Sequence, residues 1–534
     1  LLRVFKFLKQ SSCRKNHSLI ISSQRHFPKA FPCTISAAHK FYPAFFQIYL
    51  VLWYTGDSLF SEGFFVMNFT RFARLTQRRS KTFISQNVSS IQVIVFYYIV
   101  MTVVSLGLFS LPFFREPGSH VAFIDLFFMA VSTVSVTGLT TFPINDVFND
   151  RGVILLEVLF QVGGLGIMMI STFFAIVSRR KISLKQRQLI MTDMNQPKLS
   201  GIVRMIRTTF TIILVCQLVA GTIFAVYFHL YGYYDNWRDA IFYGFYQAIS
   251  AVTNSGFDVT GNSILPFSHD YFFLTCIMIL IFIGGIGFPV IMDFREWVLF
   301  KMKKQRRRLP FRFSLFTKIA VLAFVILFVG GTLAIFFLEK DYLFKDYSFS
   351  GMWMNSMFYS MTTRNAGLQI HDLGNFQTTT LIVFSLLMFI GCSPSSVGGG
   401  IRTTTIAIIG LYLYAFLKSE DNINIFGRRI DQDDVRKSVV VFMLSMGMCF
   451  FCVLFLTAIE DIPLIAIIVE VSSAFGTTGL SLGITGDLST IGKLVIALLM
   501  FIGRVGMLYT LMLFVPKETR DLGYEYPTEK IIIG

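Results

Sequence analysis

Charge is scarce in this chain. Only 15% of its 534 residues are Asp, Glu, Lys or Arg, against 54% hydrophobic, whereas a soluble globular domain carries about 25% charged residues. That balance excludes an ordinary soluble enzyme and leaves an integral membrane protein. Alternating strands of about ten residues, the mark of an outer-membrane barrel, are missing; the apolar runs instead reach the roughly 20 residues that cross a bilayer as a helix. Cysteines are few and odd in number. Cys13, Cys33, Cys216, Cys276, Cys392, Cys449 and Cys452 are scattered and lie mostly inside apolar runs, which argues against a disulfide framework or a zinc site. The histidines are equally dispersed, and no metal site is expected. A phosphate-binding loop is lacking too. "SVGGGIRTT" (396–404) offers Ile-Arg where the Walker pattern needs Gly-Lys. With no such loop and no sizeable cytoplasmic domain, an ATP-driven pump is excluded, and the chain is not expected to be an enzyme.

Base exceeds acid, giving a net charge of +16. The cations concentrate in "RFARLTQRRSK" (71–81), "SRRKISLKQRQ" (178–188) and "KMKKQRRRLPFR" (301–312), between apolar runs and without a stacking platform of aromatics. They read as a positive-inside topology signal rather than a nucleic-acid surface. Residues 1–66 contain none of the 22 methionines. They are either an amphipathic or targeting extension, since "FYPAFFQIYLVLWY" (41–54) is apolar, or lie upstream of a functional start at Met67; the second is expected.

One unit occurs four times. The segments "STVSVTGLT" (132–140), "SAVTNSGFD" (250–258), "SMTTRNAGL" (360–368) and "SSAFGTTGL" (472–480) place Gly138, Gly256, Gly367 and Gly479 at intervals of about 110 to 120 residues. An apolar span precedes each (about 91–112, 208–231, 315–338 and 438–458), followed by a short segment rich in Phe, Ala and Ser. After each comes a second span, and these open alike: "FQVGGLGIMMI", "FIGGIGFPVIM", "FIGCSPSSVGG" and "FIGRVGMLYTL". The expected fold is an all-α integral membrane protein of four tandem span, half-helix, loop and span repeats, with eight transmembrane helices around a pseudo-fourfold pore. The repeats are assigned to 67–190, 191–308, 309–430 and 431–534. The basic clusters and "KSEDNINIFGRR" (418–429) all fall on one side, so that side and both termini are expected to be cytoplasmic.

Non-helical backbone at membrane depth survives only where protein buries it or water reaches it. Four such loops converging on an axis can line a cation pathway, because glycine lets the backbone turn its carbonyls inward to replace an ion's hydration shell. The candidate ion-binding residues are Val136, Thr137, Gly138, Asn254, Ser255, Gly256, Asn365, Ala366, Gly367, Thr477, Thr478 and Gly479.

With these loops, "QVGGLG" (161–166), "GGIGF" (284–288), "SSVGGGIRTTT" (395–405), "SAFGTTGL" (473–480) and "FIGRVG" (501–506) in hand, residues 67–534 resemble the Ktr/Trk/HKT superfamily of potassium transporters, closest to the bacterial KtrB-type membrane subunit. The resemblance implies a potassium-uptake subunit of the bacterial cell membrane. It also implies a homodimer with one pore per copy, seated on a cytoplasmic nucleotide-binding regulatory ring. Potassium is the transported ion, and sodium stimulation belongs to that family rather than to these residues. All four key positions are glycine, as in potassium-preferring members; a less selective or sodium-preferring translocator is the alternative. The resemblance further implies a gate in the third repeat's broken second span, Cys392 to Thr405. Its residues are Cys392, Ser393, Ser395, Ser396, Gly398, Gly399, Gly400 and Arg402, joined by Arg504. An intramembrane arginine costs a few kcal/mol unless paired or hydrated, so Arg504 is either a positive barrier facing the pore or a partner for carbonyls freed by the broken helix. Asp125 and Arg364 are expected to anchor the loops, Asp293, Arg295 and Glu296 to pair at the interface, and Trp353 to sit at the interface.

Overall fold

The computed structural model describes residues 90–178, 182–193, 199–261, 263–302 and 310–514, all within one compact unit, Phe72–Gly534. The 1–66 stretch, the basic cluster at 71–81 and the C-terminal residues from 515 lie outside the described residues.

Among the described residues, sixteen α-helices fall into four sets of four, and two more, Ile144–Val147 and Leu184–Asp193, lie outside this pattern. The first set is α1 (Ser90–Phe109), α2 (Phe123–Ser135), α3 (Asp150–Leu165) and α4 (Ile167–Val177); the second is α5 (Ile202–Leu230), α6 (Trp237–Thr253), α7 (Tyr271–Gly285) and α8 (Phe288–Met302). The third comprises α9 (Leu315–Glu339), α10 (Phe349–Thr362), α11 (Thr378–Phe389) and α12 (Thr403–Leu417), and the fourth α13 (Gln432–Ile459), α14 (Leu464–Gly476), α15 (Thr490–Val505) and α16 (Met507–Phe514). A short hairpin pairs Asn424–Ile425 with Arg428–Arg429 after α12. The first helix of each set, 20 to 29 residues long, is apolar and long enough to cross a membrane.

Polar caps set where the shorter helices begin. Asn149, Asp270, Ser348 and Ser489 accept from the backbone N–H of Gly152, Phe273, Gly351 and Gly492 at 3.0–3.2 Å, satisfying donors that the helix itself leaves free. Asp293 does similar work across elements. Its carboxylate accepts from the Ser314 N–H and from the Ser314 and Thr317 hydroxyls at the start of α9.

The second spans of the first, second and fourth sets are not straight. α7 and α8 meet at 104°, α15 and α16 at 99°, and α3 and α4 at 97°. The sequence places an extended polar break only in the third, and the bends in the other three are a finding of the structure. Each turn is made at the last residue of a Gly-x-x-Gly tetrad: Gly166, Gly287 and Gly506 have φ of +83°, +98° and +97°, a conformation open to glycine at little cost. In the third set the tetrad is replaced by "GCSP" (391–394), and the bend widens into a loop.

The first glycine of each tetrad lets α3, α7 and α15 press on a short helix. A Cβ on Gly163, Gly284 or Gly503 would come 2.9–3.2 Å from the carbonyl carbon of Val134, Val252 or Phe475 and overlap its oxygen. Between sets the packing is cyclic: α3 lies on α6, α7 on α10, α11 on α14, and α15 on α2. The last contact joins the fourth set to the first, and an ion pair reinforces it. Lys493 Nζ on α15 stands 2.9 Å from Asp125 Oδ1 on α2, with both side chains largely buried. Asp125 is thus an anchor, as expected. Breaking one partner of a buried pair strands a charge and costs on the order of 3 kcal/mol, whereas replacing both is often near neutral. Lys493→Met should therefore lower the thermal midpoint of the detergent-solubilised protein by several degrees, and adding Asp125→Asn should restore most of it. Additive losses in the double mutant would show that the pair does not close the ring.

Candidate functional site

Each short helix ends in the same backbone device. The residue two before the glycine is left-handed: Val136 (φ 58°), Asn254 (52°), Asn365 (70°) and Thr477 (52°). For β-branched Val136 and Thr477 this is a costly conformation. In three of the loops the freed carbonyls are paired the same way, Thr137 N–H donating to Ser132 O, Ser255 N–H to Ser250 O and Thr478 N–H to Ser473 O at 2.9–3.0 Å, the Schellman pattern. The third loop closes one residue later, with Ala366 and Gly367 N–H both directed at Thr362 O. Hydroxyls brace the turns from behind, Ser135 to Thr137 at 2.7 Å and Ser250 to Ser255 at 2.9 Å.

The four glycines form a closed ring. A Cβ on Gly138 would lie 3.4 Å from Gly256 Cα, one on Gly256 3.0 Å from Gly367 Cα, one on Gly367 3.1 Å from Gly479 Cα, and one on Gly479 3.2 Å from Gly138 Cα. In the same order each would overlap a carbonyl oxygen, that of Ser255, Ala366, Thr478 or Thr137. All four glycines have positive φ, 64° to 94°. No side chain fits, for two independent reasons. The ring thus brings together all twelve residues singled out in the loops.

Against this ring lies the 390–402 segment, between α11 and α12. Its hydrogen bonds reach the second, third and fourth sets. Ser393 and Val397 N–H donate to Gly285 O and Gly284 O, Phe288 N–H donates to Ser395 O, and Gly400 N–H donates to Gly503 O. Gly399 N–H donates to Thr477 Oγ1 at 2.9 Å, and the Cys392 thiol donates to Arg364 O at 3.3 Å. Within the segment, Ser396 bonds Ser393 O, Ser393 faces Thr403, and Arg402 donates to Gly398 O. Arg504, only 8% exposed, donates to Val397 O of the segment and to Gly163 O and Gly164 O at the bend of α3, the last at 2.7 Å. It therefore holds the loop and also pairs carbonyls beside a break, although that break is in the first repeat. A cavity of about 810 Å³ adjoins the segment, lined by Pro394, Ser395, Gly400, Arg402, Arg504 and Tyr98 among others and by none of the twelve loop residues.

Arg364, expected to anchor a loop, is wholly buried, donates to Gly391 O at 3.3 Å and lies 5.0 Å from the Phe324 ring, tying the third loop to the segment. Sequence reasoning missed other contacts. Glu470 on α14 accepts from Ser481 and Thr485 and ties down the chain leaving the fourth loop. A lone acid in an apolar run was the available signal. Glu296 pairs loosely with Arg204 at 3.8 Å, and Trp353 stacks on Phe336. Among the described residues no group of three His, Cys, Asp or Glu could hold a metal.

Residues 56–521 match the family described as TrkH, cation transport protein. The match starts eleven residues upstream of Met67, so the likeness reaches further toward the N-terminus than the motifs indicated. Ktr system potassium uptake protein D of Bacillus subtilis is 44% identical, over 84% of this chain and 98% of its own length. Potassium/sodium uptake protein NtpJ of Enterococcus hirae is 32% identical over the same shares. The crystal structure of the potassium transporter TrkH from Vibrio parahaemolyticus superposes with a TM-score of 0.63 over 81% of this chain and 86% of that one. At 17% identity this likeness concerns the fold.

On the far side of the third loop, His371 packs into an aromatic nest. Its Nε2 is 2.8 Å from the Tyr347 hydroxyl, and its backbone N–H donates to the Tyr359 hydroxyl at 2.9 Å. Burial, with neighbouring His269 adding to it, lowers the imidazole from 6.5 to about 4. An unfolded chain then takes up a proton that the folded one refuses, so stability is full above about 6.5 and is lost as the pH falls toward 4. The thermal midpoint should drop across that window, and His371→Gln should remove part of the drop. An identical pH profile in the variant would mean that another group titrates.

Proposed function

The chain belongs to the TrkH family of cation transport proteins, and from that premise and the ring of four loops we propose that it is the pore-forming subunit of a potassium uptake system. Eight spans surround a pseudo-fourfold pore, the three bent second spans and the looped third counting as one each. Val136 to Gly138, Asn254 to Gly256, Asn365 to Gly367 and Thr477 to Gly479 form the filter, their carbonyls replacing water around a desolvated cation. Each short helix turns its carbonyl end, the negative end of its dipole, toward the ion. The observation that carries the reading is the cyclic contact of the four glycines, which only four loops meeting around one axis produce.

Potassium is favoured by glycine at all four positions and by the potassium uptake named in the relatives. The joint potassium/sodium name of one relative supports a second reading, a less selective monovalent cation translocator on the same fold. The 390–402 segment is the gate and Arg504 its latch, with the 810 Å³ cavity as the vestibule on the cytoplasmic side. Both termini are cytoplasmic. Two copies pair in the bacterial membrane, and a nucleotide-binding ring of the Ktr type controls them; the Ktr system named in the relatives supports such a regulator.

Expression in a bacterium lacking its own potassium uptake should restore growth at low potassium, more strongly with a Ktr-type regulatory subunit. Membrane-inserted protein that fails to rescue with any such regulator would overturn the assignment. In liposomes holding matched amounts of folded protein, Gly138→Ser and Gly256→Ser should lower the potassium-to-sodium flux ratio at least tenfold, since each adds a side chain where none fits. An unchanged ratio in both would locate selectivity elsewhere. Deleting Ser395–Gly400, or replacing Arg504 by Ala, should raise flux in the absence of any regulator. A purely structural loop would give lower flux instead.

A further inference from the structure

The gate segment is bonded to the filter itself. Three of the four left-handed filter residues carry polar side chains, and all three meet the segment. Thr477 Oγ1 accepts from Gly399 N–H at 2.9 Å and from Asn365 Nδ2 at 3.1 Å. Asn365 packs so closely on Gly398 that a Cβ there would sit 2.6 Å from its amide carbon, and Asn254 Nδ2 is 4.0 Å from Cys392 Sγ. Val136, the fourth, has no polar side chain with which to do so. The third loop is strapped twice more, the Cys392 thiol to Arg364 O and the Arg364 guanidinium to Gly391 O.

We propose that this segment is a specificity element as well as a barrier: in place, it holds the third and fourth filter loops in their selective shape, so ion discrimination depends on where the segment is. The inference rests on the filter and gate assignments above and goes beyond them. Its physical basis is the strain at Thr477. A β-branched residue at φ 52° keeps that conformation only while its surroundings over-determine it, and one of the two donors to its hydroxyl belongs to the moving part. When the segment withdraws, Gly399 N–H leaves, Cys392 releases the Arg364 carbonyl, and Thr477 and Arg364 become free to relax. Carbonyls set by those two residues then lose their fixed separation, and a filter that discriminates between ions by the number and placement of oxygens becomes more permissive. Arg504 acts as a positioning residue in this scheme, because it fixes Val397 of the segment against the bend of α3.

The test measures potassium and sodium flux on the full chain in liposomes, at matched amounts of folded protein. Thr477→Val keeps the branched shape and removes the acceptor; its potassium-to-sodium ratio should fall about fivefold, the order set by one net hydrogen bond. Thr477→Ser restores the hydroxyl and should keep most of the parental ratio. Cys392→Ala should lower the ratio and Cys392→Ser, which can still donate to Arg364 O, should preserve it; this pair carries the test if Thr477→Val does not fold. Arg504→Ala should raise flux and lower the ratio together. Raised flux with an unchanged ratio in Arg504→Ala, Thr477→Val and Cys392→Ala would overturn the inference and leave the gate standing. Failure of the gate reading would be seen differently, as no rise in flux in Arg504→Ala, whatever the ratios.

Discussion

The whole molecule is organised around backbone meeting backbone with nothing between. At the ring, the glycine of each loop lies so close to the next loop that a single methyl group would overlap a carbonyl oxygen. That contact cannot form unless the short helices converge, the short helices converge only if the second spans press close, and three of those four spans press close through a further glycine. Burial of apolar side chains supplies little drive between helices in lipid, so small residues that permit close approach take over the role that large ones have in a soluble core. Gly163, Gly284 and Gly503 are therefore structural in the same sense as the ring glycines, one layer further out.

The third repeat departs from the pattern of the other three. In the other three, a Gly-x-x-Gly tetrad bends the span within one residue. In the third, Pro394 stands where the second glycine would be, and the chain runs through a polar loop before a helix resumes at Thr403. The loop's backbone groups find partners on the second, third and fourth repeats. Arg504 completes that pairing from the opposite side, occupying the position that Gly164 and Gly285 hold in the first two repeats. Its charge is surrounded by carbonyl oxygens rather than by a carboxylate, an arrangement that tolerates a cation at depth while leaving the loop free of a tight ion pair.

Much of this was legible beforehand. The four hydroxyl-glycine turns, their even spacing and the paired apolar runs picked out the four loops whose glycines meet in the ring, because a backbone turn between apolar runs has few chemical solutions. Less visible were the bends at Gly166, Gly287 and Gly506. A Gly-x-x-Gly tetrad in an apolar helix is also an ordinary packing motif, and only the observed φ values distinguish a turn from a close contact. Long-range partners were beyond reach for a different reason. Lys493 and Asp125, or Asn365 and Thr477, are joined by the ring's closure and not by any local pattern. The contact between Gly399 and Thr477 belongs to the same class.

The central claim is that four loops enclose a site for a dehydrated potassium ion. A structure of the full chain solved in rubidium, with anomalous diffraction recorded at the rubidium edge, addresses it most directly. The account predicts anomalous density on the axis enclosed by Gly138, Gly256, Gly367 and Gly479, and its loss when lithium replaces rubidium. Density elsewhere along the pore with none at the ring would contradict it.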